Sequence, residues 1–397
     1  MNFSYSDTQQ EIRAAVRKLC GEFGLEYWRE CDEAGAYPEA FVDAMAKAGW
    51  LAALIPEEYG GSGLSLLDGC VILEEVNATG GNAASCHAQM YTMASLLRHG
   101  SQEQKKKYLP RIADGSLRLQ AFGVTEPDAG SNTLKIKTFA KRSNEGYVIN
   151  GQKIWTSRYR QSHMYLLIAR TTPYDEVKRK TDGLTLFLVD IAKAGDSLRS
   201  TPIKTMLNHH TNQVFIEDLK VTDEDRIGEE GRGFYYLLDS LNSERLLVTS
   251  ESIGDGKWFI EQVSRYVSER VVFDRPIGAN QGVQFPIARA HMNLQAAELM
   301  RNKAATLFDH EQPCGHETNM AKYLATEASW VAAEATMSAL RRFRLRVGIS
   351  YRAEMARSEA ISYRADLEQS RSGAGRTAFA QHAKVLLEQV PTRESPT

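Results

Sequence analysis

The hydrophobic period of this chain changes twice, and that change limits the fold more than any single motif does. From residue 1 to about 118, apolar residues recur at helical spacing. Ile12, Val16 and Leu19 form a stripe behind Ser6-Asp7, a residue pair suited to capping a helix start. Phe41, Met45, Ala48 and Trp50 continue the pattern until Pro56 and Tyr59-Gly60-Gly61-Ser62-Gly63 interrupt it. Residues 70–76 and 90–97 are two further apolar runs. Gly100-Ser101 then caps a helix that Tyr108-Leu109-Pro110 closes. From Leu119 to about Arg226 the period is two: residues 139–141, 147–149, 165–169, 184–189, 214–216 and 219–221 read as short strands bounded by Gly, Asn, Asp and Pro. From Gly231 the helical period returns. It predicts a stripe at Phe234, Leu237, Leu238 and Leu241, a helix over 260–272, a third over 286–308 and an alanine-rich fourth over 315–337.

That order predicts an α+β chain with an N-terminal helical domain at 1–118, a middle β-barrel or sandwich at 119–230 and a C-terminal four-helix bundle at 231–337. A chain of 397 residues is too long for a single ordinary core, in keeping with several domains. Hydrophobic content of 43% and charged content of 25% are those of a soluble globular protein. A formal net charge of −2 argues against nucleic acid as a partner. No apolar run is long enough to span a bilayer, and the N-terminus lacks an apolar signal core, so a cytoplasmic location is expected. Five scattered cysteines, Cys20, Cys31, Cys70, Cys86 and Cys314, lack paired spacing and predict reduced thiols. His209 and His210 are adjacent without spaced partners, so no metal site is expected.

Two segments carry chemistry. Residues 122–132 read FGVTEPDAGSN. A Gly-Ser turn exposes successive backbone N–H groups, and such a nest holds an anionic phosphate without basic side chains. Thr125 and Ser131 add hydroxyls, while Pro127 and Gly130 fix and then release the backbone. Taken alone, the stretch also reads as a polar loop between domains. Residues 150–157 read NGQKIWTS, a turn leading into a strand with a flat aromatic followed by two hydroxyls.

Together the two segments resemble the acyl-CoA dehydrogenase family, whose flavin lies between such segments. The resemblance runs from residue 1 to about 337 and includes the PEEYGGSG loop and the GSQEQKKKYLP segment. It implies FAD as cofactor and an acyl-CoA substrate, with a homodimer or homotetramer as the assembly and an electron-transfer flavoprotein as acceptor. By the same resemblance, Phe122, Val124 and Thr125 line the flavin ring. Ser131 sits near the pyrophosphate or the CoA of the thioester. Trp155 covers one flavin face and Ser157 bonds its pyrimidine edge. Trp155 on its own would read as a core aromatic.

A third motif is RVVFDRPIG at 270–278, followed by NQGVQ. In the family the matching Arg270, Phe273 and Gln281 reach the FAD of a neighbouring subunit. The fork of guanidinium donors matches two diphosphate oxygens. Asp274 stands where the family usually has glycine, and a carboxylate beside a pyrophosphate is unfavourable. Without its partners Arg270 would read as a surface ion pair. The catalytic candidate is Glu244 in NSERL. The reaction removes an α-proton and passes the β-hydrogen on as hydride, which calls for one carboxylate base, and burial against substrate raises the pKa of such a base. The family places this base on a C-terminal loop or on the helix after the β domain, and Glu244 matches the helix position, with Arg245 as a substrate contact. The other reading of Glu244 is a helix-surface carboxylate paired with Arg245 or Arg270. Function classes that stay open are a same-fold flavin oxidase or monooxygenase, and a non-catalytic remnant with impaired FAD binding.

The tail from Ser338 departs from the family. It carries a net charge of +5 within a chain whose total is −2, and the family's His-Gly-Gly-type turn is missing. Residues 370–377 have the composition of a disordered segment. Leu340 to Arg346 can be written CTG CGG CGG TTT CGG CTT CGC. In a shifted frame that begins inside a GCA codon for Ala339, those bases read HCGGFGF. Allowed codons for 348–369 continue as EYHIERKWREARLYRIAPISNN, similar to the family's C-terminus. The tryptophan is forced, because the ATG of Met355 followed by the GCN of Ala356 contains TGG. The expectation is a frame shift near Ala339, the alternative a truly divergent tail. Resequencing the gene decides between them: codons compatible with the shifted text are expected, and incompatible ones sink the idea.

Overall fold

The computed structural model describes residues 4–130, 132–205 and 210–340. Ser131 and the tail from 341, including the frame-shift reading and the segment at 370–377, lie outside the described residues. The chain divides into two units, one of Met1–Arg29, Cys70–Asn82 and Val248–Thr397, the other of Glu30–Gly69 and Ala83–Leu247.

The second unit is built on one eight-stranded mixed sheet. Its strands are β1 (Ala121–Gly123), β2 (Phe139–Ser143), β3 (Gly146–Ser157), β4 (Met164–Arg170), β5 (Leu184–Asp190), β6 (Leu198–Pro202), β7 (Thr211–Val221) and β8 (Arg226–Ile227). They lie in the order β6-β7-β3-β2-β4-β5-β8, with β1 parallel to β4. All seven residues of β4 are buried, so MYLLIAR reads as a continuous run rather than an alternation. Tyr147, Ile149, Tyr165, Leu167, Phe187 and Val214 are part of the core cluster of this unit.

The sequence splits residues 211–221 into two strands, but they form one. Ile216 and Leu219 point into the core, while Asp218 takes a left-handed φ of 48° between them. Its backbone N–H donates to Asn150 Oδ1 at 2.9 Å, and its carboxylate accepts from Asn150 Nδ2 at 3.0 Å. This bulge absorbs the break in alternation, so the strand bends and continues. Asn150-Gly151, expected as a turn, lie inside β3 at the matching register shift. Strands β1, β6 and β8 are too short or too polar for the period to announce them.

The helices of this unit include Glu39–Lys47, Ala84–Thr92, Ala94–His99 and Gln102–Ala113. Ser101 caps the last of them as its sequence predicts. Ser101 Oγ accepts from Gln104 N at 3.1 Å, and Gln104 returns a bond to Ser101 N at 2.9 Å. Pro110 does not close this helix. It sits in the last turn, and its carbonyl still accepts from Asp114 N at 3.0 Å.

In the first unit, Ser6 caps helix Asp7–Cys20 through a capping box with Gln9. The two stripes read as separate helices after Gly231 form one helix of 37 residues, Gly233–Glu269, of which the residues from Val248 on belong to this unit, and Val271–Val272 is a strand instead. Helix Gln281–Asp309 starts earlier than Pro286, which lies in its second turn and omits one ladder bond. Helix Gly315–Ala339 buries Ala321, Ala325, Ala328, Ala332 and Ala333, small side chains that permit close approach. The bundle over the described residues 231–340 thus has three long helices.

A buried ion network crosses this unit. Arg301 Nη2 donates to Glu74 Oε2 at 2.8 Å and Arg301 Nη1 to Ser250 Oγ at 2.8 Å. Lys257 Nζ reaches Glu74 Oε1 at 2.6 Å. Burial pushes the Glu74 carboxyl up, but Arg301 and Lys257 outweigh it and hold it down at about 2. Gly254 is what lets the long helix approach Glu74. A Cβ there would stand 2.2 Å from the Glu74 carbonyl oxygen and 2.8 Å from Asn77 Cβ. Gly254→Ala is expected to destabilise the protein by ~1–3 kcal/mol through overpacking, read as a lower urea midpoint. An unchanged midpoint would show that this helix contact yields without cost.

Candidate functional site

The turn after β1 is fixed from inside. Gly123 needs its missing side chain, because a Cβ would stand 2.1 Å from Tyr165 Oη. Glu126 and Ala129 close the Pro-Asp turn with reciprocal backbone bonds of 3.0 and 3.1 Å. The Glu126 side chain turns inward and is 5% exposed. It accepts from Lys137 N at 2.6 Å, Thr138 N at 3.0 Å and Lys153 Nζ at 2.8 Å. Lys153, fully buried on β3, also donates to the Val124 carbonyl at 3.0 Å. One residue on, Ile154 N donates to the Thr125 carbonyl at 2.9 Å. The two segments singled out in the sequence therefore lie side by side, joined by a salt bridge and two bonds to backbone carbonyls.

Burial pushes the Lys153 ammonium down to about 8, with Glu126 opposing it. Burial pushes the Glu126 carboxyl up, but Lys153 and the backbone donors outweigh it and hold it below the usual range. Both values fall, which favours the charged carboxylate and disfavours the charged ammonium, because the carboxylate has two backbone N–H groups in addition to its partner while the ammonium is wholly buried.

Beyond Lys153 the strand bulges. The register slips between Lys153 and Thr156, and Trp155 takes a left-handed φ of 61°. Its indole is 55% exposed, so it is not a core aromatic. Ser157, Thr125, Val124 and Phe122 are half-buried. The Phe122 ring lies 6.0 Å from that of Tyr91.

Glu244 and Arg245 belong to the same unit, on the first part of helix Gly233–Glu269, and both are half-buried. Arg245 Nη1 donates to Asn242 Oδ1 at 3.1 Å. This part of the helix is tied to helix Ala94–His99 by a Ser95–Ser240 hydroxyl pair and a 2.8 Å contact between His99 and Asp239. His99 also stacks on Tyr236 with ring centroids 4.2 Å apart.

Arg270, Phe273 and Gln281 belong to the other unit. Val271–Val272 and Arg275–Pro276 form a two-stranded hairpin with Phe273 and Asp274 at its tip, at φ of 51° and 58°. Two successive left-handed residues are what a tight hairpin turn requires. Asp tolerates that conformation, which gives Asp274 a backbone reason to stand where glycine is usual. Phe273 is 93% exposed. Arg270 is half-buried at the base of the hairpin, and Gln281 is exposed at the start of the next helix.

The donor set around residues 122–126 and 154–157 fits a flavin. A half-exposed indole offers a flat face, and two half-buried hydroxyls, Thr125 and Ser157, offer bonds to a polar ring edge. Among the described residues no group of His, Cys, Asp and Glu is arranged to hold a metal ion. Among them, too, no helix is long and apolar enough to cross a membrane. The Glu126–Lys153 pair escapes a motif reading because each residue alone is an ordinary charge. The available signal is strand phase: Lys153 falls on the face of Tyr147 and Ile149.

Residues 6–116 match the acyl-CoA dehydrogenase N-terminal domain, 121–219 its middle domain and 231–340 its C-terminal domain. The chain is 34% identical over 331 residues to acyl-CoA dehydrogenase fadE12 of Mycobacterium bovis, covering 83% of this chain and 84% of the relative. It is also 34% identical over 327 residues to cyclohex-1-ene-1-carbonyl-CoA dehydrogenase of Syntrophus aciditrophicus, covering 82% and 78%. Among solved structures, a glutaryl-coenzyme A dehydrogenase in complex with glutaryl-CoA superposes with a TM-score of 0.80 at 28% identity, covering 86% of this chain and 87% of that one.

The salt bridge generates a stability prediction. Lys153→Met leaves Glu126 buried without its counter-charge and is expected to cost ~3–5 kcal/mol, read by urea unfolding. The contribution of Glu126 is complete above its unfolded pKa and fades as pH falls through its lowered folded value, so the stability gap between the native chain and Glu126→Gln should close in acid. A gap that is the same at neutral and acid pH would show that the carboxylate charge contributes nothing.

Proposed function

This chain belongs to the acyl-CoA dehydrogenase family, and from that premise we propose that it oxidises the Cα–Cβ bond of a saturated acyl-CoA to a 2,3-enoyl-CoA. The observation that carries the reading is the joining of residues 122–126 to residues 153–157 by Lys153 and Glu126, in the unit that also holds Glu244. FAD, when bound, supplies the acceptor for the β-hydride. Trp155 would cover a ring face, Thr125 and Ser157 would bond its polar edge, and Phe122 and Val124 would line it. Ser131 and Arg245 would contact the thioester or its CoA.

Glu244 is the proposed base. Its carboxylate would take the α-proton as the Cα–H bond breaks, leaving that electron pair to form the double bond while the β-hydrogen departs as hydride. Half-burial on a helix suits this, since a base needs access to one bond and shelter from bulk water. An electron-transfer flavoprotein is the proposed acceptor. In a homo-oligomer, Arg270, Phe273 and Gln281 would reach the FAD of a second copy, and the exposure of Phe273 supports that reading.

One observation favours a second reading, a remnant that holds little flavin: the match to the family's C-terminal domain stops at residue 340, where the tail departs. One sample separates the two. Flavin absorbance that bleaches anaerobically on adding an acyl-CoA supports the dehydrogenase, and a colourless protein supports the remnant. Glu244→Gln should slow bleaching by about 10²–10⁴-fold with the flavin still bound. Bleaching at an unchanged rate would remove Glu244 from the role.

A further inference from the structure

Helices Ala84–Thr92 and Ala94–His99 run on through Met93, whose carbonyl accepts from Leu97 N at 2.8 Å. The second of them meets the start of helix Gly233–Glu269 in an antiparallel order. His99 meets Tyr236 and Asp239, and one turn back Ser95 meets Ser240. One turn further along the same faces, on from Ser95 and from Ser240, stand Tyr91 and Glu244. The Tyr91 ring is flanked by His87, with centroids 5.6 Å apart and planes at 32°, and by Phe122, 6.0 Å away at 49°. All three rings are half-buried and keep surface for a ligand. Two residues after Phe122 the chain reaches Val124 and Thr125. A row of rings therefore extends from the layer of the carboxylate to the stretch whose backbone is pinned by Lys153.

We propose that His87, Tyr91 and Phe122 are specificity residues that select an acyl group carrying a planar ring over a straight chain. The inference rests on the reading of Glu244 and residues 122–125 as the two sides of the reacting bond. Its physical basis is the geometry of ring contacts. An alkyl chain against aromatic walls gains only buried area, whereas a flat ring also gains offset or edge-to-face pairing with the rings already arranged there. A single ring–ring contact is worth roughly two- to tenfold in binding, and two such contacts are open to a ligand beside Tyr91.

The test is calorimetric titration of the purified full chain with 3-phenylpropanoyl-CoA, 3-cyclohexylpropanoyl-CoA and octanoyl-CoA. The phenyl thioester is expected to bind about tenfold tighter than the octanoyl one, and the cyclohexyl thioester to fall severalfold below the phenyl. Tyr91→Ala should remove about tenfold of affinity for the phenyl thioester while shifting octanoyl-CoA less than about twofold, and Tyr91→Phe should restore the preference. Octanoyl-CoA binding as tightly as the phenyl thioester overturns the proposal. So does a cyclohexyl thioester that matches the phenyl one, or a Tyr91→Ala that weakens all three alike. Binding with the ring preference but without anaerobic flavin bleaching would support this selectivity and sink the dehydrogenation reading. Failure of all three to bind would sink both.

Discussion

The salt bridge between Lys153 and Glu126 is the constraint on which the candidate site depends. An ion pair removed from water is favourable only when its remaining donors and acceptors are satisfied. Here the carboxylate takes two backbone N–H groups as well as the ammonium, and the ammonium takes the Val124 carbonyl as well as the carboxylate. The bridge therefore does more than hold two charges. It holds the Val124 carbonyl against β3 immediately before the residues where the register of that strand slips. The bulge in turn puts Trp155 into a left-handed conformation with its indole outward. Strain of this kind persists only where the surroundings over-determine the backbone, and the buried pair supplies that.

What the sequence made legible was what is local. Capping boxes at Ser6 and Ser101, the period-two runs and the FGVTEPDAGSN and NGQKIWTS segments are readable within a dozen residues, because each is a short-range pattern of donors or side-chain phase. The pairing of Glu126 with Lys153 spans 27 residues of chain and joins a loop to a strand. Nothing in the identity of either residue marks it as buried. The same limit explains the strand over 211–221, which reads as two in the sequence. A polar Glu217-Asp218 break reads as a turn until Asn150 on the neighbouring strand is seen to cap it. The long helix shows the opposite case. Gly254 and Gly256 weaken a helical pattern, yet they are present because Glu74 and Leu294 lie where their side chains would be. Glycine signals both a break and a close approach, and only packing separates the two.

The hairpin at 271–276 shows how a departure from a family pattern can have a backbone cause. On electrostatic grounds alone, Asp274 is adverse. Its φ of 58° gives the position a second requirement, a residue that tolerates the left-handed region, which Asp meets better than most non-glycine residues. Phe273 meets it poorly and is almost wholly exposed, so its own burial in this chain contributes nothing to hold it there. An exposed aromatic at a strained tip is compatible with the proposed reach toward a second copy.

The proposed chemistry and the proposed selectivity fall on different elements of the same unit. The proposed flavin contacts sit on β1, the turn after it and the end of β3, all tied to the sheet by backbone bonds and one buried salt bridge. The proposed ring contacts sit mainly on helix Ala84–Thr92, whose register against the Glu244 helix is set by the Ser95–Ser240 pair and by His99 with Tyr236 and Asp239. A substitution at His87 or Tyr91 changes which rings face the ligand without touching a bond that positions Trp155 or Thr125. The position of Glu244, by contrast, is coupled to the helix contacts at Ser240 and Asp239, one turn away. On these proposals, selectivity can drift by side-chain exchange on one helix face, while changes to the packing of Ser95 or His99 would displace Glu244 and the proposed ring wall together.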